Sequence, residues 1–318
     1  MATDTFITTQ LAVESTPADT FAVPQVSIGM PVYNGEPFIS EALVSLLEQT
    51  FTNFELIISD NASTDGTESI CRNYAAKDKR IRYVRQAENR GALANFQFVL
   101  DEALGEYFMW AAADDVWDSQ WIAVLLPLAI KFQCLAFGRV AAIDSDGEPI
   151  PHQANNRSFN FQGPRLIRRL LYYLAPPFFG KANPIYGLLK KNMISHENFA
   201  ILGSRTYGSD MLFLFNLLSD VEIRSAPSAA LHKRIHPGCA GGFAVVKDKN
   251  RQSLFRRLMR AGRSLLVSQV KDYNSYSSIS FPIERILFAI FLPAMIALYG
   301  LYMVGYFVSP KRSLLKKT

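Results

Sequence analysis

The sequence predicts an α/β protein with a mainly parallel central sheet. From Val26 to about Leu126, short apolar runs alternate with segments of helical periodicity, which is typical of successive strand–helix units. Turns rich in Asp, Asn and Gly follow the apolar runs, and polar turns of this kind are common at the ends of strands. Hydrophobic residues make up 49% of the 318 positions, so the chain can bury a sizeable core.

Four short runs in this region are predicted to be strands because they are apolar or alternate in polarity: residues 26–30, 55–59, 81–85 and 107–111. Two intervening segments carry apolar side chains on one helical face, namely Ile39, Leu43, Leu46 and Leu47 in one and Leu93, Phe96, Leu100 and Ala103 in the other. A third helix is predicted to start in a capping box of Asp65 and Glu68.

The next part of the chain is less regular. Residues 138–161 are richer in Gly, Asp, Asn and Pro and are predicted to form loops, with a hairpin around Asp146-Gly147. Residues 164–174 predict an amphipathic helix that either packs on the core, which we favour, or lies on a bilayer. Another apolar helix is expected directly after Gly208-Ser-Asp210.

A run of 23 residues without a charge extends over positions 286–308, which is long enough for a membrane-spanning helix. A buried core helix, a helix in the membrane interface and a helix packed on a partner are the alternatives. Basic residues flank both ends, so the positive-inside rule does not fix an orientation. These clusters suit an anionic lipid surface better than nucleic acid, a solvated surface being the alternative: Arg251, Arg256, Arg257, Arg260, Arg263, Lys311, Arg312, Lys316 and Lys317.

The three cysteines have no C-x-x-C spacing, which indicates neither a disulfide framework nor a zinc site and fits a reducing compartment. The first 24 residues carry no basic residue and no long apolar core, which argues against a secretory signal and favours a flexible leader.

Asp114 and Asp115 follow the apolar run that ends at Ala113. Adjacent carboxylates repel each other unless a proton or a metal compensates them, and open α/β sheets bind ligands at the carboxyl ends of their strands. The pair therefore predicts a divalent-cation site, two solvated acids being the alternative. His232 and His236 are four residues apart but lack the Glu of an H-E-x-x-H motif, so zinc is not expected.

Three further polar segments follow predicted strands: Pro31-Val-Tyr-Asn34, Asp60-Asn-Ala-Ser-Thr-Asp-Gly-Thr67 and Asn89-Arg-Gly91. Together with Asp114 and Asp115, in this order, they resemble the inverting family 2 glycosyltransferases with a GT-A fold. The resemblance covers about residues 25–240, and its later part depends mainly on Asp210 and the Arg234-Ile-His-Pro-Gly238 segment.

The resemblance implies a nucleotide-binding set of Pro31, Tyr33, Asn34, Asp60, Asn61, Arg90 and Asp114. The backbone at Pro31 and Tyr33 would cradle the nucleoside together with Asp60, for which a purely turn-forming role is the alternative. Many relatives have an acidic residue at the position of Asn61, so uridine, deoxythymidine or another base remains open. For Arg90 the alternative is a surface charge.

The resemblance also implies the chemistry. Asp115 would bind Mg²⁺ or Mn²⁺, since hard cations prefer carboxylate and phosphate oxygens, and Asp114 would contact the ribose or the sugar. Asp210 would be the general base that takes the proton of the acceptor hydroxyl, a simple N-cap being the competing role. Arg234 and His236 would be diphosphate contacts.

We therefore predict a metal-dependent, membrane-associated inverting glycosyltransferase with its catalytic domain in the cytoplasm. It would move a sugar from a UDP- or dTDP-linked donor to a hydroxyl acceptor, which could be a polysaccharide, another glycan or a lipid-linked molecule. A non-catalytic nucleotide-sugar-binding protein is the alternative. A dinucleotide-dependent oxidoreductase would need G-x-G-x-x-G after the first strand, where Pro31-Val-Tyr-Asn34-Gly35 stands instead. No nucleic-acid partner is expected.

The domain organisation expected from these patterns has five parts. They are a leader (1–24), a catalytic domain (25–245) with a nucleotide-binding half (25–126) and an acceptor half (127–245), a basic linker (246–285), a membrane-associated helix (286–308) and a basic tail (309–318).

Overall fold

A computed structural model describes residues 23–203, 208–236 and 270–308, with side chains up to Leu301. The strands are β1 (Val26–Val32), β2 (Phe54–Asp60), β3 (Ile81–Arg85), β4 (Tyr107–Trp110), β5 (Val116–Trp117), β6 (Leu135–Ile143), β7 (Leu189–Lys190) and β8 (Ile223–Arg234). The helices are α1 (Ile39–Leu47), α2 (Thr67–Lys77), α3 (Gly91–Asp101), α4 (Trp121–Phe132), α5 (Arg165–Leu174), α6 (His196–Ala200), α7 (Ser209–Leu217) and α8 (Pro282–Val308). Residues 270–278 are also helical.

The central sheet has five strands in the order β3-β2-β1-β4-β7. The first four are parallel, and β7 pairs antiparallel with β4. All four predicted strands are therefore confirmed. Every residue of β2 and β4 is buried, which is expected for a mainly parallel sheet whose two faces are both covered.

The register of the sheet places the predicted site turns at one edge. Val32 pairs with Asp60 and Asp60 pairs with Arg85, so β1, β2 and β3 end side by side. β4 lies next to β1 and runs in the same direction, and the chain continues from it to Asp114. The polar segments that are far apart in sequence therefore meet at the carboxyl edge of the sheet.

A second sheet has the order β5-β8-β6. β5 is antiparallel to β8 and pairs Val116 with His232, so the preceding residue, Asp115, faces the following one, Lys233. This register attaches the late segment of the chain to the acidic pair.

Residues 138–143 were expected to be a loop, but they belong to β6. The glycine that suggested a loop has a packing role: a Cβ on Gly138 would lie 2.3 Å from the carbonyl oxygen of Ala229 in β8 and 2.4 Å from Trp121. Only glycine lets the two strands approach this closely. The turn at Asp146-Gly147 is confirmed, because the backbone N–H of Gly147 donates to Asp144 and Gly147 has a φ of +84°.

Helix α2 forms as predicted, but its capping box does not. Asp65 accepts from the N–H and hydroxyl of Thr67 at 3.1 and 2.5 Å, while Glu68 pairs with Arg72 and Arg85. Both carboxylates are therefore engaged by other partners and do not bond to each other's backbone N–H, as a capping box requires. The turn ahead of α2 is held instead by the contact between Asp65 and Thr67.

Helix α5 packs against the protein, as favoured, but with its arginines inward. Arg168 donates to the carbonyl oxygens of Leu218 and Ser219, and Arg169 donates to that of Phe215, where both guanidiniums satisfy carbonyls at the end of α7. Ile167 and Leu171 face outward.

Helix α8 is long and apolar enough to cross a membrane over Pro282–Leu301, with a mean hydropathy of 1.7. Part of it is buried against the rest of the protein. Most of the expected leader and the whole of the basic tail, together with the arginine cluster from Arg251 to Arg263, lie outside the described residues.

Candidate active site at the carboxyl edge of the sheet

The turn after β1 and the turn after β2 are bound into one unit. Asn34 donates its backbone N–H to the Ser63 hydroxyl at 2.9 Å and accepts from the Thr64 N–H at 2.8 Å. Gly35 donates to the hydroxyl of Thr67 at 2.8 Å. Asn34 holds a φ of 53°, a left-handed conformation that costs free energy and often marks a functional turn.

Tyr33 projects from this unit and is 49% exposed. Pro31, two residues earlier, still belongs to β1. An exposed ring beside backbone groups at a strand end can stack on a planar ligand. The predicted nucleoside cradle therefore has one accessible aromatic side chain.

Asp60 is fully buried and both carboxylate oxygens are engaged. One accepts from the Ser63 N–H at 2.8 Å and the other from the Tyr83 hydroxyl at 2.8 Å. Burial and the bond to Asp60 raise the pKa of Tyr83, so it remains a hydroxyl donor. Ala62, which lies between Asp60 and Ser63 in this turn, has a φ of 60°. The geometry matches the turn-forming alternative for Asp60 more closely than a direct nucleoside contact.

Asn61 ties down the loop after β3. Its amide nitrogen donates to Asn89 Oδ1 at 2.9 Å and to the Gly91 carbonyl at 3.2 Å, and its oxygen accepts from the Arg90 N–H at 3.0 Å. Both amide donors are thus engaged, which leaves only acceptor capacity for a base. Arg90 itself is exposed, where its guanidinium can reach a phosphate.

The acidic pair divides into a buried and an accessible member. Asp115 has no exposed surface, and its oxygens accept from Lys233 Nζ and from the Arg234 N–H, each at 2.9 Å. A metal could reach Asp115 only if Lys233 left. Asp114 is partly exposed, and its Oδ2 lies 3.0 Å from His236 Nε2. The geometry therefore favours Asp114, and not the predicted Asp115, as the acid that can bind a metal directly.

Lys233 is the functional candidate that sequence reasoning missed. Burial opposes its charge, but Asp115, Tyr186 and Asp114 outweigh that cost and raise the pKa of Lys233, so the ammonium stays protonated. A lysine in an alternating strand is normally taken for a solvated residue. That Lys233 lies opposite Asp115 follows only from the β5–β8 register.

Arg234 does not face the site as predicted. It is fully buried, and its guanidinium donates to the carbonyl oxygens of Asp114, Asp144 and Ser145 at 2.9, 3.1 and 3.0 Å and pairs with Glu41. These partners engage four of its five N–H donors, and a side chain with no exposed surface cannot reach a diphosphate in the cleft. Arg234 instead fixes the backbone of Asp114.

Asp210 is the second residue of α7, whose N-cap is Gly208, so the N-cap alternative is wrong. Its Oδ1 accepts from the Met211 N–H at 2.8 Å. Burial raises the pKa of Asp210, while the Met211 contact and the Lys233 charge act in the opposite direction. A carboxylate whose pKa is raised by burial is a stronger base than an exposed one and is suited to take a proton.

Tyr186 shows that these groups converge. The Lys233 charge lowers its pKa, but burial and the charges of Asp115, Asp114 and Asp210 together raise it to about 12. Its hydroxyl is thus within electrostatic range of the lysine and of all three carboxylates. The site brings together two acids from β4–β5, one from α7 and a cation from β8.

A divalent cation fits the accessible part of this site. Among the residues that the structure describes, no three His, Cys, Asp or Glu side chains are placed so that together they could hold a metal ion. Asp114 and His236, however, place an oxygen and a nitrogen within 3.0 Å of each other. A cation that keeps waters and binds substrate phosphates needs few protein ligands. His232, in contrast, pairs with Asp118 at 2.7 Å.

Comparison with known proteins identifies similar sequences. Residues 27–184 match the model of the family described as glycosyl transferase family 2. A putative teichuronic acid biosynthesis glycosyltransferase of Bacillus subtilis, TuaG, is 33% identical over 128 residues, which cover 40% of this chain and 51% of TuaG. The GalNAc(5)-diNAcBac-PP-undecaprenol β-1,3-glucosyltransferase of Campylobacter jejuni is 26% identical over 203 residues, which cover 62% of this chain and 61% of that enzyme. The chain thus matches less than two thirds of either relative's length.

A solved structure extends the likeness over nearly the whole chain. The mannosyltransferase PcManGT from Pyrobaculum calidifontis, determined with GDP-Man and Mn²⁺, superposes with a TM-score of 0.52 at 17% identity, covering 93% of this chain and 79% of that one. At this identity the likeness concerns the fold, and it confirms the predicted GT-A architecture.

Proposed function

Because residues 27–184 belong to glycosyltransferase family 2, we propose that the protein transfers a sugar from a nucleotide-diphosphate donor to a hydroxyl acceptor with inversion at the anomeric carbon. One observation carries this proposal: at the carboxyl edge of the sheet Lys233 pairs with Asp115 at 2.9 Å, and the charges of Asp114, Asp115 and Asp210 all act on the neighbouring hydroxyl of Tyr186. The nucleotide would lie over the two turns that Asn34 and Ser63 join by hydrogen bonds, with the Tyr33 ring against its base.

Asp210 is the general base. Deprotonated Asp210 accepts the proton of the acceptor hydroxyl as that oxygen attacks the anomeric carbon opposite the leaving diphosphate, which inverts the configuration. The raised pKa makes Asp210 a stronger base than an exposed aspartate. A positioned base contributes about 10²- to 10⁴-fold to the rate.

The departing diphosphate needs positive charge. Asp114 and His236 would hold Mg²⁺ or Mn²⁺, which would stabilise the leaving group as a Lewis acid. Lys233, 22% exposed in its side chain, supplies a fixed positive charge to the same region and holds Asp115 in place. Arg90 at the rim can contact a phosphate with its guanidinium.

The names of the relatives support an envelope-glycan or lipid-linked acceptor. TuaG is associated with teichuronic acid, and the Campylobacter jejuni enzyme acts on a molecule linked to undecaprenol. We propose that this protein likewise acts at a membrane, with its catalytic domain in the cytoplasm. The donor base stays open between uridine and deoxythymidine, and the GDP-Man bound to PcManGT adds guanosine to the panel worth testing.

A non-catalytic nucleotide-sugar binder is the second candidate. The observation that favours it is that Asp60, Asn61 and Asp115 are already engaged by other protein groups. Such a protein would bind a donor without turning it over.

The test is donor binding and turnover by the full chain with UDP-, dTDP- and GDP-sugars, with and without Mn²⁺. A bound donor raises the apparent melting temperature, and turnover releases the nucleoside diphosphate. We expect both with at least one donor. Asp210→Asn should keep the thermal shift and lower turnover by about 10²- to 10⁴-fold.

Asp146→Asn, at an exposed turn, is the matched control and should turn over normally. Binding without turnover in the unmodified protein, on a broad acceptor panel, would support the non-catalytic candidate. Full turnover by Asp210→Asn would remove Asp210 from the base role.

A further inference from the structure

Within the described part of the chain, helix α8 packs on the protein through one stripe of buried side chains. Glu284, Phe288, Met295 and Tyr299 are buried, and their spacing places them on one helical face. The ring of Phe288 stacks on Tyr173 with centroids 4.1 Å apart. At 1.5 Å per residue, the stripe from Glu284 to Tyr299 is about 22 Å long. The helix therefore lies along the protein over most of its described length.

A buried ion pair fixes the start of this stripe. Arg169 of α5 donates to both carboxylate oxygens of Glu284, with Nε–Oε1 and Nη2–Oε2 distances of 2.8 and 3.1 Å. Both residues are buried. Moving α8 away from α5 and into hydrocarbon would separate the two charges, and an uncompensated charge is costly there.

The opposite face of α8 is apolar, and none of the segments that the structure describes covers it. Five of its aliphatic residues are between 54% and 71% exposed: Ile283, Ile286, Ile290, Leu298 and Leu301. Helix α5, which packs against α8, adds Ile167 and Leu171, each 47% exposed. Several exposed apolar residues on neighbouring helices mark an interaction surface. We call these seven residues the outer apolar face.

The charges around this face indicate lipid as its occupant. The acidic residue of α8, Glu284, is turned inward, whereas Arg165 and Arg285 at its border are exposed. In the sequence, arginines cluster ahead of the helix and lysines follow it. A helix with an apolar face and basic flanks suits an anionic bilayer interface. The seven residues of the face are aliphatic, and Phe281 and Phe291 beside them are 44% and 36% exposed; Leu and Phe together are typical of the apolar face of a helix that lies in a membrane interface.

We propose that α8 lies in the plane of an anionic membrane and docks the protein through the outer apolar face, without crossing the bilayer. The inward stripe stays packed on the protein while the outer face enters the boundary between headgroups and acyl chains. This inference deepens the membrane association proposed above and does not depend on the sugar transferred.

Vesicle binding tests the face. The full chain should co-sediment with vesicles of phosphatidylcholine and phosphatidylglycerol, and Ile286→Ser/Ile290→Ser should weaken that binding at least about tenfold, since both side chains leave the hydrocarbon boundary. Leu104→Ser, at a residue 64% exposed elsewhere on the surface, is the matched control and should bind like the unmodified chain. Equal binding by all three proteins would overturn the proposal.

Labelling distinguishes lying on the membrane from crossing it. In a Cys239→Ser background, Ser278→Cys and Lys311→Cys place thiols before and after α8. A membrane-impermeant maleimide added outside sealed vesicles should label both. Protection of one position would show that the helix crosses the bilayer and would overturn the proposal.

Two outcomes separate the remaining possibilities. If the chain does not bind vesicles and is instead a dimer that Ile286→Ser/Ile290→Ser dissociates, a second copy occupies the face and the proposal is wrong. Donor binding and turnover, measured with soluble substrates on the same variants, report on the proposed function separately. A variant that turns over donor but no longer binds vesicles would support the membrane face.

Discussion

At the scale of single residues, the site depends on which carboxylates are left accessible. Asp60 and Asp115 are buried and accept a hydrogen bond on each carboxylate oxygen, whereas Asp114 is partly exposed and Asp210 accepts from the backbone N–H of Met211. The same residue type therefore serves two purposes. The buried acids hold turns and strands in place, and the other two are the ones that we propose for substrate and metal.

Asp114 and Asp115 should respond differently to substitution. Asp114→Asn should abolish the stimulation of turnover by Mn²⁺ and leave the melting temperature nearly unchanged. Asp115→Asn should destabilise the protein by about 3 kcal/mol, since it leaves Lys233 without its charge partner in a largely buried position. Metal titration of activity and chemical denaturation measure the two effects. The assignment fails if Asp115→Asn loses the metal response while keeping full stability.

The pH dependence of turnover should report on Asp210. Its pKa is raised from the ordinary value of 3.8 by burial, and only the deprotonated form can accept a proton. kcat/KM should therefore fall as the pH is lowered through this raised pKa, at a higher pH than for an exposed aspartate. Lys233→Met removes a charge that lowers the pKa of Asp210, so the acidic limb should move further up.

Lys233→Arg keeps the charge and is the control for that shift. The measurement is the pH profile of kcat/KM for the unmodified protein, Lys233→Met and Lys233→Arg. An acidic limb that does not differ between Lys233→Met and Lys233→Arg would show that Lys233 does not act on the base.

At the scale of elements, β6 and β8 determine where Lys233 lies. Their contact requires Gly138, whose absent side chain leaves room for the Ala229 carbonyl and Trp121. β8 in turn pairs with β5 and carries Lys233 to Asp115. A local feature of packing therefore positions a charge in the site.

Gly138→Ala should disturb this arrangement. The added methyl group would overlap backbone, which cannot move cheaply, so we expect a loss of about 1–3 kcal/mol or more in the free energy of unfolding together with reduced turnover. Gly300→Ala meets nothing within 4 Å and should be neutral or slightly stabilising. Urea denaturation of both variants checks the expectation, which is wrong if their midpoints coincide.

At the scale of the whole molecule, the Arg169–Glu284 pair joins parts of the chain 115 residues apart. Arg169→Met should destabilise the protein by about 3–5 kcal/mol, because it leaves Glu284 buried without a partner. Arg169→Met/Glu284→Leu should recover much of that loss, since an apolar pair removes both charges. Thermal unfolding of the single and double variants measures the coupling, and equal losses in both would contradict it.

The first four strands along the chain and the positions of the polar turns after them could be predicted from the sequence. Apolar runs of strand length punctuated by turn residues depend on local chemistry, so β1 to β4 and the turns after them followed from pattern alone. The same local reasoning misassigned residues 138–143, because a glycine that allows a close approach and a glycine that forms a loop look alike in sequence.

The sequence by itself determined that this is an α/β protein with acids and polar turns at strand ends, because strand periodicity and turn chemistry are short-range properties. Only the tertiary structure decided which acid is accessible, that Lys233 lies against Asp115 while Arg234 is buried, and that α5 buries its arginines. Those outcomes depend on register and burial between segments roughly a hundred residues apart, for example Asp115 and Lys233. No local pattern encodes such distances, since a side chain's charge and exposure are set by what the fold places beside it.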